Sequence, residues 1–391
     1  MTIDPRIAAV AEEATAWRRD FHAHPELLYD LDRTSNRVAE LLGSFGVDEI
    51  VRGLGGTGVV ALLHGRGGPS ESVVGFRADM DALPLTETSG VAHASTVPGR
   101  MHACGHDGHT AMLLGAAKHL AATRTFDGTL AFVFQPAEEG GAGAKAMIDD
   151  GLFDRFPIRE IYGLHNRPGL PVGQFATRTG PIMASTDRID IEIVGRGGHA
   201  ARPHECIDPV VVGAQLIGAL QTIVSRSLDP LEAAVVSITR FEAGAAFNVI
   251  PERVRLAGTA RTLAAAVRDR LESRIAAIAE GVARTFGATI DLRYTRGYPV
   301  TVNHAAETGF AADVAAELVG ADAVDRELAP LMGAEDFSYM LESRPGAFLF
   351  IGNGDTAGVH HPAYDFNDAA IPFGIAYWAK LAEAASARRP G

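Results

Sequence analysis

The stretch Thr186-Asp-Arg-Ile-Asp-Ile-Glu-Ile-Val194 decides the fold. Ile189, Ile191 and Ile193 alternate with Arg188, Asp190 and Glu192, and a period of two is that of a strand with one buried face. A helix-like run follows at 208–226, then strand-like runs at Ala233–Phe241 and Arg253–Thr259. A second helix-like run spans 264–285, and Thr289–Tyr294 reads as a last strand. The order β-α-β-β-α-β is that of a ferredoxin-like unit. Outside it the rhythm changes. Continuous apolar runs at Val59–Leu63, Val73–Phe76, Leu130–Phe134 and Ile161–Leu164 are separated by helical patterns, notably Thr110–Ala122 and Ala142–Asp150. After Gly297 come a helix near 305–319 and a strand at Ala347–Ile351. This alternation predicts an α/β layer with a mostly parallel sheet. The expected architecture is a discontinuous larger domain of residues 1–182 and 298–391, with residues 183–297 inserted.

Composition narrows the partners. The 391 residues are 47% hydrophobic and 21% charged, which argues against disorder or a fibrous chain. Lys and Arg total 35 against 48 Asp and Glu, a net charge of −13 that repels nucleic acid and anionic membranes. Two cysteines cannot build a disulfide framework, so a reducing compartment, the cytoplasm, is expected. Residues 1–20 carry Asp4, Glu12 and Glu13 and lack the apolar core of a signal peptide. No segment is expected to approach the ~18 uncharged apolar residues of a membrane helix. Residues 381–391 read as a helix end passing into a tail.

Candidate ligands gather just after the strands. Val73–Phe76 leads to Arg77-Ala-Asp79-Met-Asp81, Leu130–Phe134 to Gln135-Pro-Ala-Glu138-Glu139, Ile161–Leu164 to His165, and Ala347–Ile351, nine residues on, to His360-His361. In open α/β sheets ligands bind beyond the carboxyl ends of strands, so several distant segments deliver Asp, Glu and His to one edge. The densest signal is His102-Ala-Cys104-Gly-His106-Asp107-Gly-His109. Cys104 and His106 suit a turn, and a helix beginning near Asp107 as N-cap would favour the Cys104 thiolate through its dipole. A thiolate beside an imidazole binds metal or acts as a nucleophile. Glu138-Glu139 offers two carboxylate roles for metal-assisted hydrolysis, one holding the metal and one moving the proton. Gly53-Leu-Gly55-Gly-Thr-Gly58 fits G-x-G-x-x-G but precedes a strand, so it reads as a turn and not a dinucleotide fingerprint.

Further stretches extend the pattern: Arg18-Arg-Asp-Phe-His22-Ala-His24-Pro-Glu26, Phe76-Arg-Ala-Asp79-Met-Asp81, Gly163-Leu-His165-Asn166, Gly195-Arg-Gly-Gly-His199, Phe247-Asn248-Val-Ile-Pro251, Met332-Gly-Ala-Glu335-Asp336-Phe337 and His360-His-Pro362. With these motifs, in this order from residue 18 to 362, the chain resembles the M20 metallopeptidase clan in its M20D amidohydrolase branch. That branch holds hippurate hydrolases, N-acyl-amino-acid deacylases and auxin-conjugate hydrolases. The resemblance implies an α/β, mostly parallel-sheet, di-metal catalytic domain carrying an inserted ferredoxin-like lid and dimerisation domain. It implies two divalent metal ions per subunit, Mn²⁺ first, with Zn²⁺, Co²⁺ or Ni²⁺ as alternatives. The implied ligands are Cys104, His106, Glu139, His165 and His360, the last preferred over His361 for its His-x-Pro spacing. Glu138 is the implied general base and then acid. His199 is implied to steady the oxyanion, and Asn248 and Arg261 to grip the substrate carboxylate. Asp81 orients a ligand from behind, Asp79 is not expected to bind metal, and His22, His24, His102 and His109 are expected in structural hydrogen bonds. A homodimer or homotetramer through the inserted domain is implied.

The resulting expectation is hydrolysis of the amide of an N-acyl or N-aroyl amino acid, a small-molecule substrate. Its rivals are a dipeptidase or carboxypeptidase of the same clan, a cysteine-nucleophile amidase using Cys104 with His106 or His109, and a metal-storing or sensing protein without catalysis. The cysteine reading leaves Glu138, Glu139, His165 and His360 without work.

Overall fold

The computed structural model describes residues 3–70 and 72–388. In chain order the principal elements are α1 (Pro5–Ala23), α2 (Asp32–Phe45), β1 (Glu49–Leu54), β2 (Gly58–His64), β3 (Val73–Asp79), α3 (His106–Thr123), β4 (Thr129–Gln135) and β5 (Ile158–Arg167). Then come β6 (Asp187–Val194), α4 (Pro209–Thr222), β7 (Ala234–Ala243), β8 (Arg253–Thr262), α5 (Ala265–Phe286), β9 (Thr289–Arg296), α6 (Ala305–Val319), β10 (Gly346–Gly352) and α7 (Ile371–Ala387). The helical end expected at 381–391 is helix to Ala387, and 389–391 lie outside the described residues.

Two compact units result. Among the described residues, the first holds 3–70, 72–182, 302–329 and 336–388. Its sheet runs β1-β2-β4-β3-β5-β10 and ends on two short strands, Phe175–Ala176 and Val324–Asp325. The four central strands β4, β3, β5 and β10 are parallel, while β1 and β2 join antiparallel. Every residue of β3, β4 and β10 is buried, as parallel strands covered on both faces require, and this is why they read as continuous apolar runs. Helix α3 lies between α1 and α7 and is buried for nearly its whole length. The Gly53–Gly58 segment is the β1–β2 turn.

Helix α1 starts on Asp4, whose carboxylate accepts the Arg6 N–H, with Pro5 next. It buries Arg18 and His22 beside Trp17 and Phe21. Arg18 pairs with Asp107 at 3.0 Å, and His22 lies between Asp107 at 2.8 Å and Glu87 at 3.2 Å. Burial opposes a charge on His22, but the two carboxylates outweigh it and push the ring up to about 9. A raised folded-state value gives stability that is complete below the ordinary 6.5 and is lost as pH rises through 9. The expected result is a fall in unfolding free energy between pH 6.5 and 9, on the order of 3 kcal/mol at most. Denaturant unfolding at several pH values measures it. His22→Gln should flatten the slope, and an unchanged slope would remove His22 as its source.

The second unit holds residues 183–301 and 330–335. Its sheet runs β7-β8-β6-β9, all antiparallel, with β-α-β-β-α-β connectivity. Helices α4 and α5 cover the face that presents Ile189, Ile191, Ile193, Val254 and Leu256. Buried Asp187 ties α5 to the sheet, taking Arg268 at 2.5 Å and the Tyr294 hydroxyl at 2.5 Å. One expectation is corrected here. The helical stretch Pro209–Ser227 has 19 residues at hydropathy 1.2 and is, by length and composition, long and apolar enough to cross a membrane. Its sequence was underestimated because Gly, Gln, Thr and Ser interrupt the apolar residues without adding charge before Arg226. One side, Val212, Leu216, Leu220 and Ile223, belongs to this unit's core, while Val211 and Val224 are exposed.

Candidate metal centre

Helix α3 begins at His106, with Gly105 as its N-cap at φ 92, not at Asp107 as the sequence suggested. Gly105 is required there: a Cβ would collide with the Asn166 amide and the Tyr364 hydroxyl. Asp107 is instead spent on Arg18 and His22.

Cys104, His106, Glu139, His165 and His360 converge through overlapping groups. Cys104, His106 and His165 form one, Cys104, Glu139 and His360 a second, and His106, Glu138 and Glu139 a third, each with ligand atoms within 4.8 Å of one another. The Cys104 sulfur is 3.4 Å from His165 Nε2, and His360 Nε2 is 3.2 Å from Glu139 Oε1. His165 donates Nδ1–H to the Asn166 carbonyl at 2.7 Å, leaving Nε2 facing the sulfur. Both ring nitrogens of buried His106 lack a hydrogen-bond partner among the described residues. Orphaned polar atoms of this kind mark a place for a cation, and the imidazole, thiol and carboxylate donors suit a divalent one.

The cluster's titration follows from burial and crowding. Burial pushes His165 well below its usual value, so it is neutral. Burial also opposes charge on His106, but Asp79 and Cys104 hold that ring well above 6.5. Contacts with Cys104 and Glu139 push His360 up to about 10. Burial, reinforced by Glu139, raises the Cys104 thiol when no cation is bound, against the pull of the helix dipole. Without a cation, desolvation outweighs the dipole.

The surrounding residues hold the ligands. Asp81 accepts the backbone N–H of Glu138 at 2.9 Å and of Glu139 at 3.1 Å, and lies 3.5 Å from His106 Nδ1. Asp79 takes His109 Nδ1 at 2.6 Å and Arg77 at 2.8 Å. His109 Nε2 then accepts the Asn166 backbone N–H at 3.0 Å, and the Asn166 side chain donates to the Cys104 carbonyl at 2.6 Å. His22, His24 and His109 thus sit in hydrogen bonds, whereas both nitrogens of buried His102 have none among the described residues. His360 adopts φ 65, in the left-handed region, with its N–H on the Ala103 carbonyl at 2.7 Å. The His361 ring turns to its own backbone, accepting the Ala363 N–H at 3.1 Å. The supporting roles of Arg77, Asn166 and Asp336 are visible only in the structure. Arg77 and Asp79, two charges on one face of an otherwise apolar strand, were the available signal.

His199, Asn248 and Arg261 lie in the second unit. His199 pairs with Val249, and the Asn248 carbonyl accepts the Ala200 N–H at 3.1 Å, so His199 and Asn248 adjoin. His199 Nδ1 accepts the Ala201 N–H at 3.0 Å, so the neutral ring carries its proton on exposed Nε2. Arg261 sits on β8 opposite Val235, half-buried, and its guanidinium makes no ion pair among the described residues. Burial lowers its pKa, and only Asp187 opposes that.

The profile of peptidase family M20/M25/M40 matches residues 75–384. The chain is 42% identical to the hippurate hydrolase of Campylobacter jejuni over 98% of this chain and 99% of that one. It is 40% identical to an N-acetylcysteine deacetylase of Bacillus subtilis over 93% and 94% of the two chains. The crystal structure of a dinuclear metal binding peptidase of the M20 family from Bacillus subtilis superposes with a TM-score of 0.84 at 35% identity, covering 97% of this chain and 99% of that one.

Proposed function

The chain belongs to peptidase family M20/M25/M40, and from that premise we propose that it hydrolyses the amide bond of N-acyl or N-aroyl amino acids, releasing a carboxylic acid and a free amino acid. The observation that carries this reading is the convergence of five metal-type donors on a turn that also presents Glu138. Cys104, His106, Glu139, His165 and His360 would hold two divalent ions, Mn²⁺ first, with Zn²⁺, Co²⁺ or Ni²⁺ as alternatives. Such ions supply Lewis acidity, lowering the pKa of water and polarising a carbonyl.

The chain's own residues do the rest. Glu138 takes a proton from the attacking water as the oxygen bonds to the acyl carbon. The C–N bond then breaks, and Glu138 returns that proton to the departing amine nitrogen. His199 donates Nε2–H to the oxyanion. Arg261, half-buried and without an ion pair among the described residues, and Asn248 take the substrate carboxylate. The first unit is the catalytic domain and the inserted unit the lid. The exposed apolar side chains Val211, Val224 and Phe241 support a dimer or tetramer through that unit. The enzyme acts in the cytoplasm on a small molecule.

The test is amine release from N-acetyl, N-benzoyl and indole-acetyl amino acids and from dipeptides, by metal-stripped protein with and without Mn²⁺. Release from the acyl substrates restored by metal is expected. Release from dipeptides alone would move the reading to a peptidase. Release without metal would return it to the Cys104 nucleophile.

A further inference from the structure

The segment Glu26–Tyr29 runs beside both stretches that carry the site carboxylates. Ala82 N–H donates to the Glu26 carbonyl at 2.8 Å, one residue from Asp81. Ala137 N–H donates to the Leu28 carbonyl at 3.1 Å, one residue from Glu138. Leu28 has φ 50 and Ala137 φ 53, both in the left-handed region. That conformation is costly for leucine, and the residue is nevertheless 40% exposed, held by the backbone hydrogen bond from Ala137. Retained strain of this kind collects at ligand sites.

Tyr29 follows, 37% exposed but not loose. Its hydroxyl donates to the Gly141 carbonyl at 2.6 Å, and its own carbonyl accepts the Thr57 hydroxyl at 3.1 Å. A Cβ on Gly141 would stand 3.3 Å from the Tyr29 ring edge, so the ring lies along the Glu138–Gly141 turn. Burial raises the Tyr29 hydroxyl, and the charges of Asp336 and Asp81 add to it, which agrees with that placement. Two apolar surfaces are therefore presented to solvent at the edge of the turn that bears Glu138.

We infer that Leu28 and the Tyr29 ring form the wall that receives the substrate's acyl group, making the enzyme select bulky apolar or aromatic acyl groups over acetyl. This rests on the amide-hydrolysis reading above. On this inference, the substituent of an acyl carbon attacked beside Glu138 lies towards the edge of the turn where Tyr29 and Leu28 stand. An aryl group there stacks on a ring already fixed by its hydroxyl, while an acetyl methyl leaves both surfaces wet. Apolar contacts of this size discriminate by tens-fold.

The experiment compares kcat/KM for N-benzoylglycine and N-acetylglycine in the metal-loaded enzyme and in Leu28→Gly, Tyr29→Ala and Tyr29→Phe. The unaltered enzyme should prefer benzoyl. The benzoyl-to-acetyl ratio should fall about tenfold in Leu28→Gly and in Tyr29→Ala, and stay within about twofold in Tyr29→Phe, which keeps the ring. Leu28→Gly relieves the backbone strain, so its thermal midpoint should hold or rise and a changed ratio cannot be ascribed to unfolding. A ratio unchanged in both Leu28→Gly and Tyr29→Ala overturns the inference. Failure of the unaltered enzyme on every N-acyl amino acid is a separate result and defeats the hydrolysis reading itself.

Discussion

Glu138→Gln lowers kcat on an N-acyl amino acid by about 10²-fold or more, while metal content stays that of the unaltered protein. The two effects separate because Glu138 and Glu139 face different neighbours. Glu139 Oε1 meets His360 at 3.2 Å and His106 at 4.0 Å, whereas Glu138 Oε1 meets the Asp336 N–H at 3.4 Å. Glutamine fills the same volume and can still accept that N–H, so the turn and its ligands stay in place. It cannot take a proton from water. Glu139→Gln has the opposite signature, losing metal together with activity. Elemental analysis beside single-turnover kinetics reads both quantities. Undiminished turnover in Glu138→Gln would remove that residue from the chemistry.

Arg77→Leu destabilises the protein by about 3–5 kcal/mol, the cost of leaving buried charges uncompensated. The fully buried guanidinium reaches Gln135 at 2.8 Å, Asp79 at 2.8 Å and Asp336 at 3.0 Å. Its loss strands two carboxylates that are themselves buried. The damage also travels to the ligands, since Asp79 holds His109, His109 holds Asn166, and Asn166 holds the Cys104 carbonyl. Denaturant unfolding should show the loss, and metal affinity should fall with it. Arg77→Lys keeps the charge without the fork and should be intermediate. A midpoint within experimental error of the unaltered protein would refute the account.

The alternation that organises both sheets was legible because burial writes itself into period. Strands β3, β4 and β10 read as continuous apolar runs, and β6 as strict alternation. Glu139 was legible because it follows the end of β4, and Cys104 and His106 because a cysteine and three histidines crowd residues 102–109, whereas His165 lies within β5 and not beyond its end. What lay hidden depends on contacts distant in sequence. Nothing around Asp81 announces that it clamps two backbone amides some 57 residues on. Asn166 looks like any polar residue after a strand until Gly105 is seen to make room for it. The backbone of Leu28 could not be inferred, because leucine gives no sign of a left-handed conformation. The helix dipole beside Cys104 could be read from sequence, whereas the burial that raises its thiol when no cation is bound could not.

The central position of β10 has a consequence for biosynthesis. It pairs with β5 from Gly346↔Ile161 to Gly352↔Arg167, yet the ribosome adds it about 180 residues later. At roughly 5–20 residues per second, the edge of β5 waits on the order of 10–40 s for its neighbour. During that interval a nascent chain presents a long apolar strand with open hydrogen-bonding groups, the kind of edge to which other chains add. The inserted unit is nearly contiguous and can close on itself as it emerges. Chains released before residue 352 lack the strand that seals the sheet, so they should aggregate and not accumulate as partly active fragments.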